Sequence, residues 1–249
     1  MAGGGQFRWR GRGGGKDTDM ETVLLDGVRF EPDFDWLLQA LHLRPESAHA
    51  ARVRELAREA QSVARPKALY GVAYIEDRGD DFVIADGVRL TSRVLRVNLE
   101  GVHRVFPYVA TCGRELDEWS SSLSDLLESF WADAIKEHAL RQVISALNSD
   151  LAERYQPGPT SAMNPGSLAD WPMPEQRPLF ALLGDVRRAI GVELKDSFLM
   201  VPVKSVSGLR FPNTTSFENC QLCRREGCPG RRAPYDLELY ARKYRRAEG

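Results

Sequence analysis

The 249-residue chain contains no long hydrophobic run. No apolar stretch approaches the about 20 residues that a membrane-spanning helix needs. The amino terminus has charged residues but lacks the apolar core of a signal peptide. We therefore expect a cytoplasmic protein with no membrane partner.

The sequence also has little net charge and little histidine. Lys and Arg number 34 against 35 Asp and Glu, so the formal net charge is -1. This balance argues against a general nucleic-acid binder, which usually carries a basic surface. The four histidines, at positions 42, 49, 103 and 138, are scattered and suggest no catalytic triad. With 43% hydrophobic and 28% charged residues, the chain is typical of a globular protein with a real core.

Cysteine is scarce, but its spacing is informative. Three of the four cysteines, Cys220, Cys223 and Cys228, fall within nine positions, and Cys112 lies far upstream. Thiolates packed this closely repel one another unless a metal neutralises them. Four thiolates are the full complement for a tetrahedral zinc site or a cubane iron–sulfur cluster. In a chain without a secretion signal, the pattern favours metal ligation over disulfides.

The composition divides the chain into two parts. Residues 1–20 are rich in Gly and contain several Arg, which predicts a disordered tail. Contact with RNA is the alternative interpretation of this tail. Residues 21–249 are predicted to form a single domain with a Cys-rich metal loop at about 212–232.

Hydrophobic patterning predicts strands and helices in the domain. Two segments, 22–30 and 82–90, have the pattern of a β-hairpin with an Asp-Gly turn. Residues 47–64 have apolar side chains at helical spacing, with Pro66 after the predicted end. Residues 94–109 predict strands broken near residue 100 and at Pro107.

The second half of the domain is predicted to be mainly helical. Residues 114–155 form one long helix or two in sequence, and 175–190 form another. Two strand-like pieces follow within 198–211, and a basic helix ends the chain. Since the strands occur in hairpins and not in βαβ units, the predicted class is α+β.

Four segments together resemble a known family. They are residues 110–116, 164–183, 190–194 and 200–208. Their order and spacing resemble the activation domain of vitamin B12-dependent methionine synthase, and more closely its free-standing relatives. The resemblance covers roughly residues 65–230.

The resemblance implies a twisted antiparallel sheet with flanking helices that binds S-adenosylmethionine (SAM) in a shallow groove. In that family the domain docks over the cobalamin of a corrinoid domain, where cob(II)alamin is reduced and remethylated from SAM. The domain positions the reactants and supplies no nucleophile. The implied function is a free-standing activator of a cobalamin-dependent methionine synthase or another corrinoid protein, as part of that methyltransferase system in methionine biosynthesis.

The sequence departs from the family pattern in the SAM motif, Arg-x3-Gly-Tyr-x2-Cys-Pro. Gly166 and Pro172 match it, but Ser167 replaces the Tyr and no matching Arg is present. Asp170 and Trp171 are assigned to hold the sulfonium or the adenine of SAM. The alternative is that Pro165 and Gly166 only form a turn and that Trp171 is a core side chain. The predicted cofactor-binding residues are Pro165, Gly166, Asp170, Trp171, Pro172, Lys204, Ser205 and Ser207.

Lys204, Ser205 and Ser207 are assigned on the family resemblance and on their polar side chains. They are expected to contact a carboxylate or a corrin amide. The alternative is a strand end that only turns the chain.

The cysteines allow two interpretations. A 4Fe-4S cluster on Cys112, Cys220, Cys223 and Cys228 would act as an electron relay, whereas zinc would act as a structural clasp. Cys112 is alternatively a buried core thiol. Arginines around the loop predict a basic face for an acidic partner. The alternative function is a non-catalytic, zinc- or cluster-stabilised module that docks on a corrinoid protein complex.

Overall fold

An eight-stranded antiparallel sheet forms the centre of the protein. The computed structural model describes residues 8–9, 20–213, 217–228 and 230–245. The strands are β1 (Arg8–Trp9), β2 (Glu21–Leu25), β3 (Lys67–Arg78), β4 (Phe82–Ala85), β5 (Val88–Thr91), β6 (Arg104–Thr111), β7 (Thr160–Met163), β8 (Glu193–Leu194), β9 (Met200–Val201) and β10 (Ser205–Pro212). Six of them follow the order β1-β2-β3-β6-β10-β7, and the β4–β5 hairpin extends the end of β3. The short strands β8 and β9 pair separately.

Helices cover both faces of this sheet. They are α1 (Phe34–Ala40), α2 (Ala48–Val63), α3 (Arg93–Asn98), α4 (Arg114–Ser121), α5 (Leu126–Tyr155), α6 (Gln176–Leu183) and α7 (Val186–Ile190). Short 3-10 turns at Met173–Glu175 and Asn219–Gln221 and a π-helical turn at Tyr240–Tyr244 complete the described chain. The α+β prediction is thereby confirmed. Among the described residues, no helix is both long and apolar enough to span a membrane.

The central strands distribute alternate side chains to the two faces. Tyr70 and Tyr108 face α5, where they pack with its buried leucines and valines. Leu69 and Val109, one residue away on the same strands, pack against α6 and α7 on the opposite face. Because strand side chains alternate, the near-continuous burial of β3 and β6 requires helices on both sides. Burying one such aliphatic side chain contributes about 1.5–3 kcal/mol.

The predicted hairpin at 22–30 is wrong, whereas the one at 82–90 is confirmed. In the second, β4 and β5 pair around a turn with positive φ at Asp86 and Gly87. In the first, only β2 is a strand, and it pairs with β1 and β3. The chain then leaves the sheet because Phe30 is buried against α1, α2 and α5. Arg8 and Trp9 of the predicted tail form β1, and the remainder of that tail up to residue 19 lies outside the described residues.

The prediction of strands across 94–109 is wrong in its first half. Ser92 caps α3 by accepting a hydrogen bond from Leu95 N at 2.9 Å, so this segment is helical. Pro107 does not break β6. The pairing of β3 with β6 is interrupted opposite it, between Tyr70 and Ala73, so its missing N–H costs no ladder bond there.

The predicted helices form, but some are interrupted or shorter than predicted. Residues 114–155 form two helices, and Asp125 caps the second by accepting from two backbone N–H groups. The predicted helix at 175–190 is interrupted at Gly184, which has φ +75° and ends α6. The predicted basic C-terminal helix is a single π-helical turn in the described residues.

Candidate functional site

A cavity of about 1210 Å³ lies between two segments that are far apart in sequence. One is the floor loop, residues 164–176, which links β7 to α6. The other is the C-terminal segment, residues 217–228 and 230–245. Ser205 and Ser207 of β10 line the cavity between them. The floor loop and the C-terminal segment thus form opposite sides of one site.

Asn164 connects the floor loop to the sheet. Its Nδ2 donates to Tyr108 Oη and to the Ser207 backbone oxygen, both at 2.8 Å. The approach is close because Gly208 has no side chain: a Cβ there would lie 2.4 Å from Asn164 Nδ2 and 2.7 Å from Met163 O. Glycine at position 208 is therefore what allows the floor loop to lie against the sheet.

Pro165 and Gly166 form a turn and also line the cavity. Gly166 has φ +84°, and its N–H donates to Trp171 O at 2.7 Å. A Cβ at this position would lie 2.1 Å from Met173 Sδ. The positive φ favours glycine here, whereas the flexible Met173 side chain is 43% exposed and could move aside.

Asp170 lines the cavity, and its carboxylate also accepts hydrogen bonds from the start of α3. It accepts hydrogen bonds from the Ser92 hydroxyl and from Val94 N, the latter at 2.9 Å. It also lines a smaller neighbouring cavity of about 360 Å³, which shares Tyr240 and Arg245 with the main one. A fixed negative charge between two openings is suited to a cationic group of a ligand.

Trp171, Pro172 and Lys204 do not line the cavity, and their role in binding a cofactor stays a prediction. Trp171 is fully buried, and its Nε1 lies 3.4 Å from Glu175 Oε2, so it is a core side chain. Pro172 precedes the 3-10 turn. Lys204 Nζ lies 2.9 Å from Asp133 Oδ2 on α5, across the sheet from the cavity.

Ser205 and Ser207 line the cavity, and their predicted contact with a cofactor stays a prediction. Ser205 Oγ donates to Pro202 O at 2.7 Å and lies 2.9 Å from Thr111 Oγ1. Ser207 Oγ donates to Gln176 Oε1 at 3.4 Å. Gln176 is only 1% exposed and lines the cavity, yet no sequence pattern marks it, because its role depends on the turn that brings α6 beneath β10.

The three clustered cysteines also line the cavity. Cys220, Cys223 and Cys228 are all partly exposed there. They belong to the cysteine loop, which we define as residues 219–228 and 230–232. This loop begins with the 3-10 turn Asn219–Gln221, in which Glu218 and Gln221 form a reciprocal cap.

One guanidinium holds the cysteine loop together. Arg231 Nη1 donates to the backbone oxygens of Cys220 at 3.1 Å and Ala233 at 3.3 Å. Its Nη2 donates to those of Cys223, at 3.1 Å, and Arg225. Five donors in a planar fork suit this task, which a lysine could not perform with the same geometry.

Cys112 lies apart from the other three cysteines. It is fully buried in the core cluster that includes Leu116, Trp131 and Ile135, and it does not line the cavity. Across the described residues, no three His, Cys, Asp or Glu side chains are arranged to hold a metal ion. The structure therefore does not assemble the predicted four-cysteine iron–sulfur or zinc site. Metal binding by the loop cysteines stays a prediction.

Because Cys112 is buried, its thiol should react differently from those of the three loop cysteines. Desolvation raises its pKa to about 12, and the thiolate is the form that reacts with alkylating agents. We expect iodoacetamide at neutral pH to label the three loop cysteines of the folded protein and to leave Cys112 unlabelled until the chain is unfolded. Peptide mass spectrometry measures this directly. Equal labelling of Cys112 in the folded protein would contradict its burial.

The C-terminal segment adds charge and aromatic surface to the cavity. Arg224, Arg225, Arg232 and Arg245 line it together with Tyr235 and Tyr240. Arg224 Nε lies 3.2 Å from Tyr235 Oη, and Arg232 Nη2 lies 3.0 Å from Glu218 Oε2. The cavity thus combines cations, a carboxylate, aromatic rings and neutral amides. The tyrosines were missed in the sequence because they belong to no recognisable pattern.

Comparison with known proteins gives one informative result. No family model and no curated protein sequence matches the chain. Among solved structures, a crystal structure of the MetH reactivation domain bound to AdoHcy matches with a TM-score of 0.57 and 15% sequence identity. The match covers 80% of this chain and 79% of that one.

The chain shares the fold of the MetH reactivation domain. At this level of identity the likeness to the reactivation domain concerns the fold alone. It confirms the expected architecture, an antiparallel sheet flanked by helices, over most of the chain.

Proposed function

We propose that the protein is a free-standing activator of a corrinoid protein, such as a cobalamin-dependent methionine synthase, and that it binds SAM in the cavity. One observation carries the proposal. A chain with the fold of a domain solved with AdoHcy has a large cavity between its floor loop and its C-terminal segment. AdoHcy is SAM without its methyl group, so one site can take both.

The cavity wall offers a partner for each part of SAM. The arginines suit the carboxylate, Asp170 suits the positive sulfonium, and Tyr235 and Tyr240 suit the adenine ring. Asn164 and Gln176 add amide groups fixed by their own hydrogen bonds. This set replaces the Arg and Tyr that the family motif would provide.

The role of these residues is to bind and orient. SAM supplies a methyl group, and the corrinoid of the partner protein supplies the cobalt that accepts it. The chain's own groups hold SAM in one orientation, which lowers the entropic cost of the transfer. Asp170 is suited to this role because Ser92 and Val94 already fix its carboxylate.

The mouth of the cavity supports the proposed partner. Leu237 is 81% exposed, and Met173 and Tyr240 are each more than 40% exposed. Arginines of the cavity wall lie among these apolar side chains. Apolar contacts beside cations suit an acidic protein that carries a large hydrophobic cofactor.

Binding of SAM and AdoHcy to an Asp170→Asn variant tests the site. Asparagine keeps an oxygen to accept from Val94 N, so α3 remains capped while the charge is lost. We expect about tenfold weaker SAM binding, or about 1.4 kcal/mol. AdoHcy binding should change much less because its thioether is neutral. Isothermal titration calorimetry measures both constants.

Asp185→Asn is the matched control, since Asp185 also caps a helix, by accepting from Arg188 N at 3.0 Å, but does not line the cavity. It should leave both constants unchanged. Equal losses for the two ligands in Asp170→Asn would contradict the sulfonium role. If the wild-type protein binds neither ligand but still binds a corrinoid protein, the non-catalytic docking module is the correct function.

A further inference from the structure

Cys220 and Cys223 lie at the two ends of one tight turn. The Cys223 N–H donates to Cys220 O at 3.3 Å, which closes a turn of the i to i+3 type. Such a turn keeps its first and last Cα atoms within about 7 Å. A disulfide needs a Cα separation of about 4.4–6.8 Å. The turn therefore holds the two Cα atoms within about 7 Å of each other, close to the separation that a disulfide spans.

The turn is held in this form by groups outside it. The Arg231 guanidinium donates to the backbone oxygens of both cysteines. The Arg232 N–H lies 3.5 Å from Cys220 Sγ and donates to it. Both thiols are partly exposed at the cavity wall. A small molecule that enters the cavity can therefore reach the sulfur atoms without unfolding the loop.

The two thiols are partly exposed and lie close to arginines. Arg224 and Arg225 follow Cys223 directly, and both line the cavity. Reactive cysteines occur in electropositive, partly exposed surroundings and often in Cys-x2-Cys spacing. Cys112, buried among apolar side chains, shows the opposite case within the same chain.

We infer that Cys220 and Cys223 form a reversible dithiol–disulfide centre whose substrates are low-molecular-weight disulfides. This goes beyond the proposed activator role, and it gives the cysteine loop a function that needs no metal. The loop itself contains three thiols, one fewer than a four-thiolate metal site. The Arg231 guanidinium supplies the hydrogen bonds that hold the loop in its fold.

The reaction proceeds in two balanced steps. The Cys220 thiolate attacks one sulfur of a disulfide RSSR, which forms a Cys220–S–SR mixed disulfide and releases RS⁻. The Cys223 thiolate then attacks Cys220 Sγ, which forms the Cys220–Cys223 bond and releases the second RS⁻. Two thiol protons pass to the two leaving thiolates. The protein loses two electrons, and RSSR is reduced to two RSH.

The test is a count of free thiols after incubation of the full-length protein with glutathione disulfide under anaerobic conditions. The reaction is quenched with acid, the protein is unfolded and alkylated, and intact mass is measured. The wild type begins with four alkylatable thiols and should fall to two, with the original four restored by dithiothreitol. Peptide mapping should place the new bond between Cys220 and Cys223.

Cysteine-to-serine variants identify which two residues form the disulfide. Cys223→Ser should accumulate the mixed disulfide at Cys220 and lose only one thiol. Cys112→Ser and Cys228→Ser should each still lose two thiols. Circular dichroism melting confirms that each variant is folded before it is scored.

Three results would overturn the inference: retention of all four thiols by the wild type, a bond mapped to Cys228, or purified protein that holds stoichiometric iron or zinc on the loop and resists oxidation. None of these readouts uses SAM or a corrinoid protein. Failure of the dithiol centre and failure of the proposed function are therefore separate results.

Discussion

Gly208→Ala is expected to lower the free energy of unfolding by about 3 kcal/mol, the upper part of the usual range for overpacking a core. The new Cβ would lie 2.4 Å from Asn164 Nδ2, 2.7 Å from Met163 O and 2.8 Å from Tyr108 Oη. Met163 O is a backbone atom of the neighbouring strand β7, so relief requires a shift of that strand relative to β10. Urea denaturation monitored by tryptophan fluorescence gives the change.

The same substitution should abolish measurable AdoHcy binding, because Asn164 carries the floor loop and would be displaced. Gly27→Ala is the matched control, since no atom lies within 4 Å of its Cβ position. It should change stability by no more than about 0.5 kcal/mol. If Gly208→Ala is as stable as the control, the close approach of the floor loop to β10 is incorrect.

Arg231→Met is expected to unfold the cysteine loop and to weaken AdoHcy binding at least tenfold. The substitution removes a guanidinium that donates to four backbone oxygens. A hydrogen bond from a charged group contributes about 1.5–3 kcal/mol, whereas the contact of the loop with the core comes from Leu222 and Cys223. The loss should be local, as expected for a segment that opens independently of the core.

Hydrogen exchange followed by mass spectrometry separates local from global effects. Amides of residues 217–228 should exchange much faster in Arg231→Met, whereas those of β3 and β6 should keep their protection. Arg54→Met is the control, because Arg54 donates to a single backbone oxygen, that of Pro45, at the exposed end of α2. Unchanged exchange in Arg231→Met would show that the loop is held by other contacts.

The sequence pattern correctly predicted those helices and strands whose tertiary contacts favour the same structure. The helix at 47–64 has an N-cap serine and an apolar face, and it forms as α2. The hairpin at 82–90 has an Asp-Gly turn that adopts the required positive φ values. The segment after Asp26 has the same turn residues but does not form a hairpin, because Phe30 is more stable in the helical cluster than at a sheet edge.

The site was only partly predictable for a similar reason. Its glycine and serine positions follow from a turn and a strand end, which are local features. Trp171 and Lys204 were assigned mainly on the family resemblance, but the burial of Trp171 and the ion pair of Lys204 with α5 decide their positions. Cys112 is next to a strand whose neighbour lines the cavity, yet its side chain faces the opposite side of the sheet. Only tertiary structure shows which face a strand residue occupies.

The floor loop and the C-terminal segment differ in how they are attached. The floor loop is joined to the sheet through Asn164, whereas the described end of the C-terminal segment is anchored by Tyr244, whose Oη lies 3.0 Å from Asn98 Oδ1 and whose backbone oxygen accepts from Arg93 Nε at 3.2 Å. Arg224 and Arg225 of this segment are exposed at the cavity wall, whereas Tyr240 contacts Tyr244, a fully buried core side chain. A chimera made at residue 217 would therefore exchange one wall of the cavity together with three core side chains, Phe217, Leu239 and Tyr244, while Asp170 and the rest of the floor loop would stay with the other parent.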